Sequence, residues 1–242
     1  MLDKVALVTG AARRIGAGIA ERLHAEGYNL ILHFRASHRE ALALRKRLED
    51  RRPESVVLVR ANLESLSAVE SLVAETVGIW GRLDAVINNA SAFYPTPLGE
   101  ATETHWDELL ASNLKAPFFL SQAAYPQLKR WHGCIVNLVD IYGLRPRPGF
   151  PIYSVAKAGL AAMTRSLALE MAPDVRVNGV APGAILWPES PVDEVEKNDL
   201  LENIPLRRMG EVADIAKAVR YLVCDADYVT GQILPVDGGR SL

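Results

Sequence analysis

The sequence predicts a doubly wound α/β fold, a single parallel sheet of about seven strands with helices on both faces. Three observations carry this. Short apolar runs alternate with longer amphipathic stretches through all 242 residues, as in strands joined by crossover helices. Thr9-Gly10-Ala11-Ala12-Arg13-Arg14-Ile15-Gly16 separates the first apolar run from the first amphipathic one. Glycines there permit a tight turn and let backbone N–H groups at a helix N-terminus approach a pyrophosphate. The residues able to do chemistry fall just after apolar runs, at the carboxyl ends of strands, where such sheets bind ligands.

In chain order the strands are expected at Val5–Thr9, Asn29–His33, Val56–Val59, Ala85–Asn88, Cys134–Leu138, Arg176–Val180 and Gln232–Pro235, each a short apolar run. Amphipathic periodicity places helices near Ile15–Glu26, Arg39–Glu49, Leu66–Trp80, Trp106–Lys129, Ile152–Met171 and Val212–Cys224, with Pro117 expected to kink the fourth. Ala184–Asp199 is rich in proline and acid and lacks clear periodicity, so a substrate lid is expected near residues 184–199. With no repeat, linker or low-complexity segment, residues 1–242 read as one Rossmann-type domain for both cofactor binding and catalysis.

Composition narrows the function. Hydrophobic residues make up 49% and the net charge is −2, so the chain is globular and has no electrostatic footprint for nucleic acid. No apolar run approaches a membrane span, and no signal-peptide layout precedes the first strand. A cytoplasmic location is therefore expected. Cys134 and Cys224 form no Cys-x-x-Cys pair; they read as buried small hydrophobes, and no metal site is expected.

The cofactor end is read from three strand ends. Gly10, Arg13, Arg14, Ile15 and Gly16 form the turn after the first strand. Asn89, Ala90 and Ser91 follow the fourth, where backbone can pass an adenosine. Pro182 and Gly183 follow the sixth, beside the expected nicotinamide amide. The second strand ends His33-Phe34-Arg35-Ala36-Ser37 with no acid to take a ribose 2′-hydroxyl. Arg35 and Ser37, with Arg13 or Arg14, are placed to surround a 2′-phosphate instead. This favours NADPH/NADP+ over NAD, the alternative being a set of solvated surface arginines.

At the catalytic end, Tyr153 and Lys157 are four residues apart on one helix face. That spacing lets an ammonium hold a phenol that passes a proton to substrate. Carbonyl reductases with such a pair carry a serine about thirteen residues upstream; here Asp140 stands there, and no serine occurs in 137–143. A carboxylate opposes the oxyanion of a ketone reduction but can resupply a proton to a ring nitrogen. The alternative for Asp140 is a helix cap or turn.

Together these motifs resemble the short-chain dehydrogenase/reductase family over essentially the whole chain. Arg14 in place of the usual glycine, Leu32-His33-Phe34, the run Asn88–Leu98, Asp140 and the closing Val236–Leu242 are similar to its pteridine reductases. The resemblance implies roles residue by residue. Phe93 would stack on a pterin; Ser91 would contact phosphates and the pterin edge; Arg14 would reach pyrophosphate and substrate. Lys157 would hold the nicotinamide ribose and lower the pKa of Tyr153. Asn113 would prop the active-site helix and a water chain. Asn62, where an aspartate is common, would meet the adenine together with Leu63, and Leu186 and Trp187 would border the pterin from the lid. The implied activity is NADPH-dependent reduction of dihydropterins, with dihydrofolate and oxidised pterins as further substrates, in a homotetramer. The alternatives are a dihydromonapterin or dihydrofolate reductase of folate metabolism, a 3-oxoacyl-thioester keto-reductase, and a non-enzymatic NADP-sensing or scaffold protein.

Overall fold

The computed structural model describes residues 3–186 and 193–242, except for the side chains of 194–196. The apolar runs become β1 (Val5–Val8), β2 (Asn29–Phe34), β3 (Val56–Arg60), β4 (Ala85–Asn88), β5 (Cys134–Leu138), β6 (Arg176–Pro182) and β7 (Ile233–Val236). All pair in parallel, in the order β3-β2-β1-β4-β5-β6-β7. Chain direction across the sheet reverses between β1 and β4, so a crevice opens beyond their carboxyl ends.

Around the sheet lie α1 (Arg14–Ala25), α2 (His38–Glu49), α3 (Leu66–Trp80), α4 (Glu103–Leu110), α5 (Ala116–Trp131), α6 (Pro151–Met171), α7 (Glu194–Glu202) and α8 (Val212–Cys224). The strands are buried on both faces, which is why they read as continuous apolar runs. Ala6, Val8, Leu30 and Leu32 face Ile19 and Leu23 of α1, Leu44 of α2 and Val219 of α8. Their neighbours Val5, Leu7 and Ile31 face the opposite way, towards Leu72 of α3, Leu120 of α5 and Leu160 of α6.

Two elements differ from the sequence reading. The helix expected over Trp106–Lys129 is divided into α4 and α5 by a π-helical turn at Ala111–Lys115. Pro117 has no N–H to give to a preceding turn, and the wider turn just before it absorbs the interruption. The stretch expected to be irregular, 184–199, runs into α7 from Glu194 onward; its acid-rich, weakly amphipathic sequence concealed the helix.

Beneath the crevice a chain of buried polar side chains ties four elements together. Asn88 Nδ2 donates to Asn137 Oδ1 at 2.8 Å, and Asn137 Nδ2 donates to Thr164 Oγ1 at 2.9 Å. Asn88 also reaches Ser121, whose hydroxyl donates to the Pro117 carbonyl at 2.6 Å. The ends of β4 and β5 are thereby locked to α5 and α6, and a network with every member paired specifies one arrangement.

After β5 the chain makes a 3₁₀ turn, Ile141–Gly143, that lies directly on α6. A Cβ on Gly143 would come within 2.7 Å of the Lys157 carbonyl carbon and 2.8 Å of its oxygen. Only glycine permits that approach. Gly143→Ala is expected to push the turn off α6, lowering stability by about 1–3 kcal/mol in chemical denaturation and depressing turnover. Wild-type stability and turnover in this variant would show that the contact is not needed.

Candidate active site

The turn after β1 is shaped from below. Gly10 has φ +60°, and its N–H donates to His33 Nδ1 at 3.2 Å. The other ring nitrogen of His33 meets the Ala61 carbonyl at 3.1 Å. This pairing assigns the proton to Nε2, and burial holds the ring's pKa below the usual histidine value. His33 is therefore a neutral strut joining the ends of β1, β2 and β3, while the Phe34 ring is buried with Ala12 and Ala41. Both support the turn; neither presents a polar side-chain group to a phosphate.

Gly16 faces the turn so closely that a Cβ would lie 2.3 Å from the Gly10 oxygen and 2.6 Å from Asn89 Nδ2. Asn89 Nδ2 donates to the carbonyls of Thr9 (2.9 Å) and Gly10 (3.1 Å), and the N–H groups of Asn89 and Ala90 donate to Thr9 Oγ1. The loop after β4 is thus fastened to the loop after β1. Arg13 at the N-cap of α1 contributes no side-chain capping bond, and no acid occupies the first turn of that helix. Arg14 has φ +54°, in the left-handed region, which accounts for the glycine usual at this place. An arginine costs roughly 1–2 kcal/mol there, strain of the kind held at functional sites.

Asp140 ends the segment after β5, and both its oxygens are engaged. Oδ1 accepts from the Tyr142 N–H at 2.9 Å, capping the 3₁₀ turn, and Oδ2 accepts from the Tyr153 hydroxyl at 2.9 Å. The carboxyl is both the turn's cap and the tyrosine's partner. Burial pushes its pKa above the usual carboxylate range against the opposing pull of the Tyr142 N–H, the Lys157 charge and the Tyr153 hydroxyl. Burial, followed by the Asp140 charge and hydrogen bond, holds the Tyr153 phenol well above its ordinary value.

Lys157 is buried on the same helix. Its Nζ donates to the Leu138 carbonyl at 2.8 Å and sits 5.7 Å from the Tyr153 ring centroid. Burial lowers its pKa to about 8. The lysine ammonium is therefore turned to the end of β5, and burial, followed by the Asp140 charge, keeps the Tyr153 phenol above its ordinary value.

The π turn positions Asn113, which is fully buried. Its Nδ2 donates to the carbonyls of Ala92 and Leu109, both at 2.9 Å, and its Oδ1 accepts from the Ser91 hydroxyl at 2.7 Å. Asn113 props the loop after β4, and so Phe93 as well. The Phe93 ring is about half exposed, meets the Tyr153 ring edge-on at 4.8 Å and stacks on Phe150 at 4.8 Å and 8°. Phe150 was not singled out from sequence; the Pro-Gly-Phe-Pro run at the head of α6 is the signal that marks it.

On the adenosine side, the exposed Arg35 already has an acidic partner. Its Nη1 pairs with Glu64 Oε1 at 2.9 Å. Asn62, exposed, holds the same segment through its Oδ1 and the Glu64 N–H at 3.3 Å, while Leu63 packs on the core. The pair escaped sequence reading because its partners lie on separate strand ends. Ser37 is the N-cap of α2, with no side-chain capping bond. The Gly183 N–H donates to the Val236 carbonyl at 3.0 Å, so Pro182-Gly183 is tied to β7. Leu186 is exposed, and Trp187 lies outside the described residues.

The family profile described as "Enoyl-(Acyl carrier protein) reductase" matches residues 10–241. The chain belongs to the short-chain dehydrogenase/reductase family. It is 37% identical to "Pteridine reductase 1" of Leishmania tarentolae, over 98% of this chain and 96% of that protein. It is equally 37% identical to a 3-oxoacyl-(acyl-carrier-protein) reductase of Staphylococcus epidermidis, over 98% of this chain and 99% of the other. A crystal structure of a blue fluorescent protein from a metagenomic library, in complex with NADPH, matches with a TM-score of 0.92 and 34% identity, covering 99% of this chain and 98% of that one.

The protein is thus a short-chain oxidoreductase, of a family that uses nicotinamide dinucleotides. The residues present fit that cofactor. Gly10 and Gly16 lack the Cβ atoms that would collide within the turn and with the loop after β4, and α1 opens without a side-chain cap beside Arg13 and Arg14, leaving a helix N-terminus of the kind that takes a pyrophosphate. The Arg35–Glu64 pair yields a testable consequence. A 2′-phosphate must compete with Glu64 for the guanidinium, so Glu64→Gln is expected to raise the NADPH-over-NADH ratio of kcat/KM by about two- to fivefold, the scale of an exposed ion pair. Arg35→Asp is expected to lower it about tenfold or more. Unchanged ratios in both variants would remove Arg35 from coenzyme selection.

Proposed function

We propose that this enzyme is an NADPH-dependent pteridine reductase that takes dihydropterins, and with them dihydrofolate and oxidised pterins, to the tetrahydro level. The observation that carries the reading is the 2.9 Å bond from the Tyr153 hydroxyl to Asp140 Oδ2. A carboxylate there disfavours the alkoxide-like transition state of ketone reduction. The same carboxylate suits delivery of a proton to a ring nitrogen.

When bound, NADPH supplies the hydride; Gly10, Gly16, Arg13, Arg14 and the loop Asn89–Ser91 would hold it, with Arg35 and Ser37 at the 2′-phosphate. The chain's own residues handle the proton. Tyr153 is buried and protonated, and its hydrogen turns from Asp140 to the substrate nitrogen. A tyrosinate left beside a carboxylate would be unstable, so as the phenol gives up its proton Asp140 takes one from solvent and passes it to the phenol oxygen. The raised pKa of Asp140 and its half-buried position let it draw that proton from solvent. Lys157, buried and charged below about pH 8, offsets the negative charge of the couple. Phe93 offers a ring face to the pterin, and Asn113 with Ser91 holds the loop that carries it.

Keto-reduction of an acyl thioester is the second reading, supported by the equal identity to the Staphylococcus reductase. As to assembly, we propose a homotetramer. A groove of about 780 Å³ beside α4 and α5, lined by Trp106, Leu110, Leu114, Phe118 and Met163, offers an apolar face that a second copy would cover.

NADPH oxidation against dihydrobiopterin, dihydromonapterin, dihydrofolate, biopterin and an acetoacetyl thioester separates the readings. Pterin turnover is expected, falling as pH rises through about 8, where Lys157 loses its proton. Asp140→Asn is expected to lower pterin kcat about 10²-fold with NADPH binding intact. Turnover of the thioester alone would establish the second reading, and turnover of nothing would point to a non-catalytic NADP-binding protein.

A further inference from the structure

The segment Leu144-Arg145-Pro146-Arg147-Pro148-Gly149-Phe150 has no part in the chemistry above, yet it borders the site. Arg147-Pro148-Gly149-Phe150 forms a β-turn. The Phe150 N–H donates to the Arg147 carbonyl at 3.2 Å, and Gly149 has φ +79°. Proline followed by a glycine of positive φ is the sequence of a type II turn. Such a turn brings its first and fourth residues together, and the Arg147 guanidinium lies 4.7 Å from the Phe150 ring centroid. Because Phe150 stacks on Phe93, which touches Tyr153, the guanidinium sits two ring contacts from the proton donor.

A second cation comes from the other end of the chain. Asp237 accepts from the N–H groups of Gly239 (2.9 Å) and Ser241 (2.8 Å), folding the last residues into a turn. The Arg145 guanidinium donates to the Leu242 carbonyl and pins that turn. Arg240 then lies 5.9 Å from the Tyr142 ring centroid, whose other cationic neighbour is Arg147 at 5.4 Å. Arg147 Nη1 also donates to the Tyr142 hydroxyl at 3.3 Å. Arg240 is near enough to Asp140 to pull down on its pKa. Among the described residues neither Arg147 nor Arg240 enters an ion pair, and Arg147 is exposed. Two guanidinium groups are thus gathered around the Tyr142 ring beside the site, the exposed Arg147 with one of its donors on the Tyr142 hydroxyl and the partly exposed Arg240 next to it.

We propose that Arg147 and Arg240 form an anion-binding rim that selects substrates whose reacting ring carries a negatively charged tail. The inference rests on the pteridine-reductase reading and assigns its preferred substrates as pterins with a carboxylate-bearing side chain. Guanidinium groups bind carboxylate and phosphate oxygens by the same charge-assisted bonds, so a phosphate-bearing thioester is the other source of such a tail. An arginine already held beside aromatic rings loses little freedom when it binds.

The test is the ratio of kcat/KM for dihydrofolate, with its carboxylates, to that for dihydrobiopterin, with its neutral side chain. It is measured in the unmodified enzyme, Arg147→Glu, Arg147→Lys and Arg240→Gln. A ratio cancels any general loss of folded protein. Arg147→Glu is expected to lower the ratio about tenfold or more, through KM and not kcat; Arg147→Lys should keep most of it; Arg240→Gln should lower it less. Added salt should raise KM for dihydrofolate and not for dihydrobiopterin. Calorimetric Kd values for the two pterins on the NADP+ complex give the same ratio without turnover. A parallel pair, acetoacetyl-CoA against the neutral acetoacetyl-N-acetylcysteamine, identifies the source. A fall confined to that pair would support the rim with phosphate as its ligand while sinking the pterin reading. Ratios unmoved by Arg147→Glu in both pairs would overturn the rim, whatever the enzyme reduces.

Discussion

The contact between the 3₁₀ turn after β5 and the backbone of α6 sets the geometry on which the chemistry depends. It brings a carboxyl from a strand end against a phenol from a helix, two groups thirteen residues apart in sequence. The buried Asn88–Asn137–Thr164 chain fixes the strand and the helix to each other, and Gly143 removes the side chain that would hold the turn away. Without that approach Asp140 would be a cap on a turn and Tyr153 an isolated buried phenol. With it, the two share a hydrogen bond in which burial disfavours the charged form of each partner.

The site also carries costs that the rest of the fold must offset. Arg14 occupies a left-handed conformation that glycine would adopt without strain. Lys157 is buried with a main-chain carbonyl as its hydrogen-bond acceptor and Asp140 as the charge that favours its ammonium form. The loops after β1 and β4 are held by hydrogen bonds from Thr9, His33 and Asn89, none of which needs to touch a reacting atom. These side chains act by keeping backbone in place. In a site that transfers hydride and a proton in one encounter, fixed geometry accounts for much of the barrier reduction.

Much of this was legible in the sequence, for physical reasons. Strands buried on both faces leave continuous apolar runs, so β4 and β5 can be read to the residue. Tyr153 and Lys157 declare themselves by helical spacing, and Asp140 by standing where a hydroxyl is otherwise needed. What was not legible depends on contacts between distant segments. The Arg35–Glu64 pair joins residues 29 apart, and no local pattern marks it. The π turn that orients Asn113 stands just before Pro117, which marks an interruption without saying that a wider turn absorbs it. Lys157 bonding to Leu138 reflects the depth of β5 beneath α6, which spacing on one helix does not reveal. The Arg147 turn carries a local mark in Pro148-Gly149 that the sequence reading did not use, and its neighbour Arg240 arrives from a segment some ninety residues away.

The central claim is that Asp140 and Tyr153 act as one proton-handling unit. A double-mutant cycle on kcat for a dihydropterin, using Asp140→Asn, Tyr153→Phe and the combined variant with NADPH saturating, measures this directly. If the two groups work as a couple, the combined variant loses about as much as the worse single, well short of the product of the two losses. If the losses multiply, the residues act independently, and the 2.9 Å bond between them is structural only.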